Sequence, residues 1–487
     1  MKRPIHVSLV VVTVLLLLGL AMSTPAQESL PVAPRPVVES PYVTPPHAPS
    51  VPGTLIIPKS SLVQTPPAGH YFAAHTNVQI YLPSGLSPTE VPPFPGYGYQ
   101  TPASLGCHYG LSSTAQAPNC DPYTTTASPT GGSQTIAIVD AYDDPSAPGD
   151  LAWFSLQFGL PLTLSQFQVV WANNSASSCF GRSVPTDVTG GWEVEESLDI
   201  EWAHAMAPGA TIYLVEACSN FDFDLQQAVL VANNLVQCGQ TEINPSSGVL
   251  GTCPPGSTGK GEVSMSWGGG EFAGETASNS CLTANDSCFT ANGVVYFASS
   301  GDGPGVIWPG TSPNVVSAGG TTVRTNASTF DFIQEAAWVS GGGGVSFYEP
   351  VPSYQVGLAH NPTAFRGVPD LSFDADPYTG VYVYDTFPVD GIYYYEWLIV
   401  GGTSVSAPSL AGIINNAATL SGTFAASSNA ELTTIYANRP TGTNPTPAGY
   451  TAITAGFCGP YMGLSTYSAP GWSYCTGVGV PKGYSQK

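Results

Sequence analysis

Positive charge is scarce in this chain: 11 Lys and Arg stand against 33 Asp and Glu over 487 residues, a formal net charge of −22. That balance excludes nucleic acid as a partner, because phosphate contacts need a basic surface. Charge of either sign is rare, at 9% of residues. With the carboxylates protonated in acid, only the few Lys, Arg and seven His remain charged, so self-repulsion at low pH stays modest. Histidine itself is sparse, and none of the seven lies in a recognisable catalytic motif. His204 and His360 read as structural or surface residues. No Cys-x-x-Cys or Cys/His cluster is present to hold zinc. Beyond the N-terminus no run is long and apolar enough to span a bilayer.

The first residues form a compartment signal. Lys2 and Arg3 precede an apolar run from Val7 to Met22 that ends in Ser23-Thr24-Pro25-Ala26. Residues 1–26 read as a secretory signal peptide, the run being short for a membrane anchor. The mature protein is expected to be secreted (extracellular or periplasmic), a monomer, without stable membrane association once the signal is cleaved. Ten cysteines, an even number, fit an oxidising compartment. Local spacing favours pairing Cys107 with Cys120, Cys238 with Cys253, Cys281 with Cys288 and Cys458 with Cys475, which leaves Cys179 and Cys218.

Residues 27–97 are rich in proline and read as an extended, poorly packed lead-in, a short or vestigial pro-region, interrupted by one strand-like run, NVQIYLP at 77–83. From residue 98 the texture changes. Short β-rich apolar runs end in Gly, Asp or Ser: QTIAIVD (134–140), ATIYLVEA (210–217), GEVSMSW (261–267), GVVYFASSG (293–301) and NVVSAGG (314–320). Helical patterns at 192–207 and 224–235 lie between them. This alternation predicts one large α/β domain over 98–487, a mainly parallel sheet covered by helices on both faces. In such sheets functional groups gather at the carboxyl ends of strands, here Asp140, Ser266-Trp267-Gly268 and Gly301-Asp302-Gly303.

Residues 401–413, GGTSVSAPSLAGI, set Ser404 at the start of a helix among small residues, as a nucleophile would stand. A serine hydroxyl needs an adjacent base, and no histidine motif supplies one. The helix at 192–207 carries Glu193, Glu195, Glu196, Asp199 and Glu201. Glu195 and Asp199 are four apart and share a face, about 5–6 Å apart at Cβ. Taken alone, such a helix reads as a solvated acidic face. Beside a serine that lacks a histidine, it reads as a coupled carboxyl pair sharing protons.

Glu195-Glu196-Ser197-Leu198-Asp199, Gly401-Gly402-Thr403-Ser404 and Ser300-Gly301-Asp302-Gly303 together resemble the motifs of the sedolisin family of serine-carboxyl peptidases. The stretches QTIAIVDAYDDP, SPNVVSAGGTT, RGVPDLSFDADP and PGWSYCTGVGVP resemble the same domain, in the same order, over about residues 98 to 481. The resemblance implies a subtilisin-like fold and an acid-active endopeptidase working on protein or peptide substrates through an acyl-enzyme. It implies Ser404 as nucleophile, Glu195 as general base, Asp199 as its partner and Asp302, neutral at working pH, as an oxyanion donor. The chemistry agrees: a carboxylate serves as base near its own pKa, and a carboxyl donates only while neutral.

Asp140 stands where subtilisins keep the aspartate of their triad, but no partner histidine motif is present. It reads as a loop-capping residue, with a supporting place in the acidic network as the alternative. Ser266 to Gly269 reads either as an edge for extended substrate or as simple strand-end packing. SGGGGV (340–345) lacks the Lys-Ser/Thr of a phosphate loop and reads as a flexible or close-approach loop. Two departures from the resemblance stand out. The lead-in is much shorter than the family's pro-domain. The C-terminal calcium site that the resemblance implies has lost its two aspartates, Ala452 and Ser473 standing in their places, so no metal or other cofactor is expected. The alternative to an active peptidase is an inactive secreted binding protein on the same fold. A glycosidase using Glu195 and Asp199 leaves the serine motif unexplained.

Overall fold

The computed structural model describes residues 52–87, 89–112, 119–238, 253, 257–276, 286–358, 361, 363–392, 394, 396–441, 449–458, 471–485 and 487. The signal segment, His360 and Cys281 fall outside these residues. In chain order, β1 (Gly53–Ile56), β2 (His75–Thr76), β3 (Gln79–Pro83) and α1 (Pro102–His108) come first. There follow β4 (Thr135–Ala141), α2 (Ala147–Phe158), β5 (Phe167–Trp171), α3 (Gly191–Met206), β6 (Thr211–Ala217) and α4 (Asp222–Cys238). Next are β7 (Gly261–Met265), β8 (Trp267–Gly268), β9 (Val294–Ser299), β10 (Val316–Thr325), β11 (Phe332–Ala337), β12 (Gly344–Pro350) and β13 (Phe365–Val368). The last that concern us are β14 (Leu371–Asp374), β15 (Val381–Tyr384), β16 (Trp397–Gly401), α5 (Thr403–Ser421) and α6 (Ser428–Ala437).

The central sheet runs β11-β10-β9-β7-β4-β6-β5, with β14 also paired to β10. Its pairings are parallel except β10 with β11. Each of the five apolar runs read from the sequence supplies one of its strands. Alternation along those strands divides the core. Ile136, Ile138, Ile212, Leu214 and Phe297 pack with α3 and α5. Ala137, Val139, Tyr213, Val215, Met265 and Ala298, one residue out of step, pack with α4. Both faces are therefore covered, which is why the strands read as continuous apolar runs.

α3 is buried along its whole length, its five acidic residues included. The solvated face expected of it from charge alone does not exist. The described part of the lead-in also departs from expectation: β3 is a middle strand of a second sheet ordered β1-β3-β16-β15, with Ile80 and Tyr81 buried. Upstream, Phe72, Ala73 and Ala74 are buried, Phe72 against Trp308 and Phe272. Burial is confined mainly to residues 72–83, where β-branched and aromatic side chains cluster; residues 52–71 are mostly exposed, as a poorly packed lead-in would be.

Candidate active site

Four loci converge at the carboxyl edge of the sheet. Asp140 lies within β4 one residue from its end, Ser266 follows β7, Ser300-Gly301-Asp302 follows β9, and Ser404 occupies the first turn of α5. α3 runs beneath them and brings Glu195 and Asp199. Ser404 is buried, and its Oγ donates to the carbonyl of Ser266 at 3.1 Å. Pro408 sits four residues on, inside α5, and has no N–H to give the Ser404 carbonyl. That carbonyl instead faces the Ser266 hydroxyl at 3.2 Å, and the same hydroxyl donates to Asp199 Oδ1 at 2.8 Å. Ser266 thus ties the serine turn to the carboxyl pair.

Burial disfavours the charged form of each carboxyl in the site. Burial pushes Glu195 well above the ordinary glutamate range, Asp140 and Asp302 add to the rise, and the neighbouring Ser404 hydroxyl opposes it. Asp199 is raised by burial, then by Asp140 and Glu195, with the Ser266 bond opposing. Asp140 is raised by burial to about 8. Neither oxygen of Asp140 or of Glu195 meets a hydrogen-bond partner among the described residues. Asp140 is therefore no loop cap. It belongs to a group of three buried carboxyls, and its sequence position at a strand end was the signal for it.

Asp302 accepts from the Thr403 N–H at 2.7 Å and the Thr403 hydroxyl at 2.9 Å, and its other oxygen faces Gln79 Nε2 at 3.4 Å. Burial raises it to about 7 against these hydrogen bonds. Gly402 has φ +111, and a Cβ there would lie 1.9 Å from the Asn77 carbonyl oxygen and 2.7 Å from Asp302 Oδ2. Glycine is the residue that admits both groups. SGGGGV is a close-approach loop rather than a flexible one. Gly342 donates to the Gly301 carbonyl at 2.7 Å, and a Cβ on it would meet the Ser300 carbonyl at 2.3 Å.

The cleft is filled by the chain's own segment, which the sequence did not reveal. His75 pairs opposite Gly268 and Thr76 opposite Trp267, antiparallel, so the Ser266–Gly269 edge carries an extended strand. The Asn77 N–H points at Ser404 Oγ at 3.2 Å, and the Ser404 N–H donates to the Asn77 carbonyl at 3.2 Å. The segment is pinned on both sides. Upstream, Tyr71 N–H and His70 Nδ1 bond Asp222 at 3.0 and 2.5 Å, and Ala74 N–H bonds the Asn220 carbonyl at 2.8 Å. Downstream, β3 pairs with β16, Gln79 opposite Gly401, and that antiparallel run delivers Asn77 to Ser404.

His204 is buried within α3 with neither ring nitrogen partnered among the described residues, and burial lowers its pKa to about 4. It takes no part in the site. Of the expected disulfides, Cys107–Cys120, Cys179–Cys218, Cys238–Cys253 and Cys458–Cys475 are formed. The pairing expected of Cys281 lies outside the described residues.

No family model matches the chain. Among curated proteins, it is 32% identical to kumamolisin of Bacillus sp. (strain MN-32) over 385 residues, which is 72% of this chain and 59% of that protein. It is 32% identical to sedolisin of Pseudomonas sp. (strain 101) over 187 residues, 36% of this chain and 28% of that protein. The chain thus spans less than two thirds of the length of either relative. A solved structure of Pseudomonas sedolisin, a serine-carboxyl proteinase complexed with two molecules of pseudo-iodotyrostatin, aligns with TM-score 0.55 at 22% identity, covering 79% of this chain and 95% of that one. The fold is thus subtilisin-like, as the resemblance implied.

Proposed function

This chain belongs to the sedolisin family, and from that premise we propose that it is an exported, acid-active serine-carboxyl endopeptidase. The observation that carries the reading is the nucleophile's setting: Ser404, near Glu195, with its backbone N–H already on a peptide carbonyl. In the proposed reaction Ser404 Oγ attacks the scissile carbonyl while its proton passes to Glu195, which is ionised in the reactive form while Asp199 holds the proton the pair shares. The oxyanion is held by the Ser404 N–H and by the O–H of neutral Asp302. Glu195 returns the proton to the leaving amine as the C–N bond breaks, leaving an acyl-enzyme. Water, giving its proton to Glu195, then releases the acid and restores the serine. Asp199 orients Glu195, and Asp140 biases the protonation of both.

Only carboxyls serve as acid and base here, so activity belongs on the acid side of neutrality. Export is part of the same proposal. It is supported by four disulfides among the described residues, none of whose helices is long and apolar enough to cross a membrane. The side chains at the family's calcium position do not fit that ion. Ala452 offers no side-chain oxygen, and Ser473 Oγ is engaged with Thr476, 3.1 Å from its hydroxyl and 3.2 Å from its N–H. No step of the mechanism uses a metal.

The self-filled cleft favours a second reading, a chain that binds but does not turn over, since an outside peptide cannot pair with an edge already taken. Incubation with denatured protein from pH 2 to 8, against a Ser404→Ala control, separates the two. Fragments below pH 6 that vanish in the control support the peptidase. Their absence, or a Glu195→Gln variant with full activity, overturns it.

A further inference from the structure

Asn77 is 1% exposed, and its side chain is buried against Ser299 and Ser266, which form a polar pocket. Its Nδ2 donates to Ser299 Oγ at 2.6 Å and faces the Ser266 carbonyl at 3.5 Å. Ser299 is the last residue of β9, wholly buried, with its hydroxyl turned into this pocket. The β2–β8 register, continued one step, sets Asn77 opposite Ser266. A nucleophile must stand beside the scissile carbonyl, whose oxygen rests on a fixed donor. The Asn77 carbonyl is the one on the Ser404 N–H. Asn77 therefore occupies the place of the residue on the acyl side of a scissile bond, and its pocket is the one that reads that residue.

From this geometry, and resting on the peptidase reading above, we propose that Ser299 determines primary specificity. The pocket selects a short side chain bearing a hydrogen-bond donor, asparagine foremost, immediately before the cleaved bond. Two oxygens, the Ser299 hydroxyl and the Ser266 carbonyl, form its polar wall. A leucine or phenylalanine placed there would set apolar surface on both and strip Ser299 of its partner, the kind of mismatch that polar sites reject strongly. Asn77 Oδ1 has no hydrogen-bond partner among the described residues, so what this pocket rewards is the donor.

The test uses peptides that differ only at that position (Asn, Ala, Leu or Phe), cleaved by the full chain and by its Ser299→Ala variant. Ratios of kcat/KM do not depend on the fraction of molecules with an open cleft. The expected result is Asn over Leu by about tenfold or more, falling toward parity in Ser299→Ala. Preference for Leu or Phe, or an Asn ratio untouched by Ser299→Ala, overturns the pocket assignment and leaves the peptidase reading standing. Failure to cut any of the peptides overturns the peptidase reading instead, and a measurement without turnover then decides the pocket. In a Ser404→Ala background, Asn77→Leu should lower the melting temperature far more when Ser299 is present than when it is alanine. Equal losses in the two backgrounds overturn the proposal.

Discussion

The backbone N–H of Ser404 donates to the carbonyl oxygen of Asn77 at 3.2 Å, across 327 residues of sequence. Asp302 Oδ2 and that carbonyl oxygen crowd the same point beside Gly402, the carbonyl 1.9 Å and the carboxyl 2.7 Å from where a Cβ would be. A peptide carbonyl thus rests where a developing oxyanion would, next to a carboxyl that burial raises to about 7.

That placement gives a prediction for Asp302. As a donor it works only while protonated, so turnover should fall as pH rises through about 7, the value to which burial brings it. Asp302→Ala should fold and lose about 10²–10³ in kcat, the typical loss for one oxyanion donor. Asp302→Asn should lose less and remain active above pH 7, because an amide donates at any pH. Equal losses from the two variants, with unchanged pH profiles, would show that Asp302 does not donate.

Asp140 should tune the base rather than carry the reaction. Its charge raises both Glu195 and Asp199, so its removal lets Glu195 ionise at lower pH. Asp140→Asn is therefore expected to shift the acid limb of the kcat profile toward lower pH while turnover persists. The melting temperature should drop, since neither Asp140 oxygen has a hydrogen-bond partner among the described residues and an amide there buries unpaired donors. A profile with an unmoved acid limb would remove Asp140 from the catalytic group.

Much of the parallel sheet was legible because its signals are local: each apolar run is one strand, bounded by its own turn residues. The carboxyl pair and the serine turn were legible as short motifs. What escaped were long-range placements. Nothing in NVQIYLP says that it lies between β1 and β16, or that the residues before it enter the cleft, because pairing partners hundreds of residues away leave no mark on a strand. Ser299 was invisible for the same reason, since its role depends on Asn77. The burial of α3 was missed because carboxylates read as solvent-seeking, a reading that fails once they are neutral.

That neutrality predicts how stability depends on pH. Ion pairs among the described residues are limited to Lys59–Asp390, Arg366–Asp370 and two histidine–carboxylate pairs. Most buried carboxyls among the described residues thus stand outside a direct ion pair with a described residue. Burial raises Asp144 and Glu431 to about 7, Asp140 and Glu262 to about 8 and Glu193 to about 9. In the unfolded chain these groups ionise near pH 4. Below that, both states are protonated and stability is full. As pH climbs, the unfolded chain gives up protons first, so stability drains away until the folded values are passed. Calorimetry from pH 3 to 8 should show a melting temperature that falls by about 10 °C or more across that range. A melting temperature that climbs toward pH 8 would contradict the neutral interior.

The C-terminal region offers the last test. Without aspartates at Ala452 and Ser473, a calcium ion there would meet carbonyls, a hydroxyl and water, too little negative charge for a tight site. Ser473 spends its backbone on Gly477, at 3.0 and 2.9 Å, and its hydroxyl on Thr476. The turn is closed by its own hydrogen bonds. Cys458–Cys475, 17 residues apart, ties the same region covalently, worth about 3 kcal/mol if the constraint acts on the unfolded chain. Excess chelator should therefore leave the melting temperature unchanged, while the paired substitution Cys458→Ser with Cys475→Ser lowers it. A chelator-induced drop of several degrees, reversed by added calcium, would mean that backbone oxygens rebuild a site the side chains no longer provide.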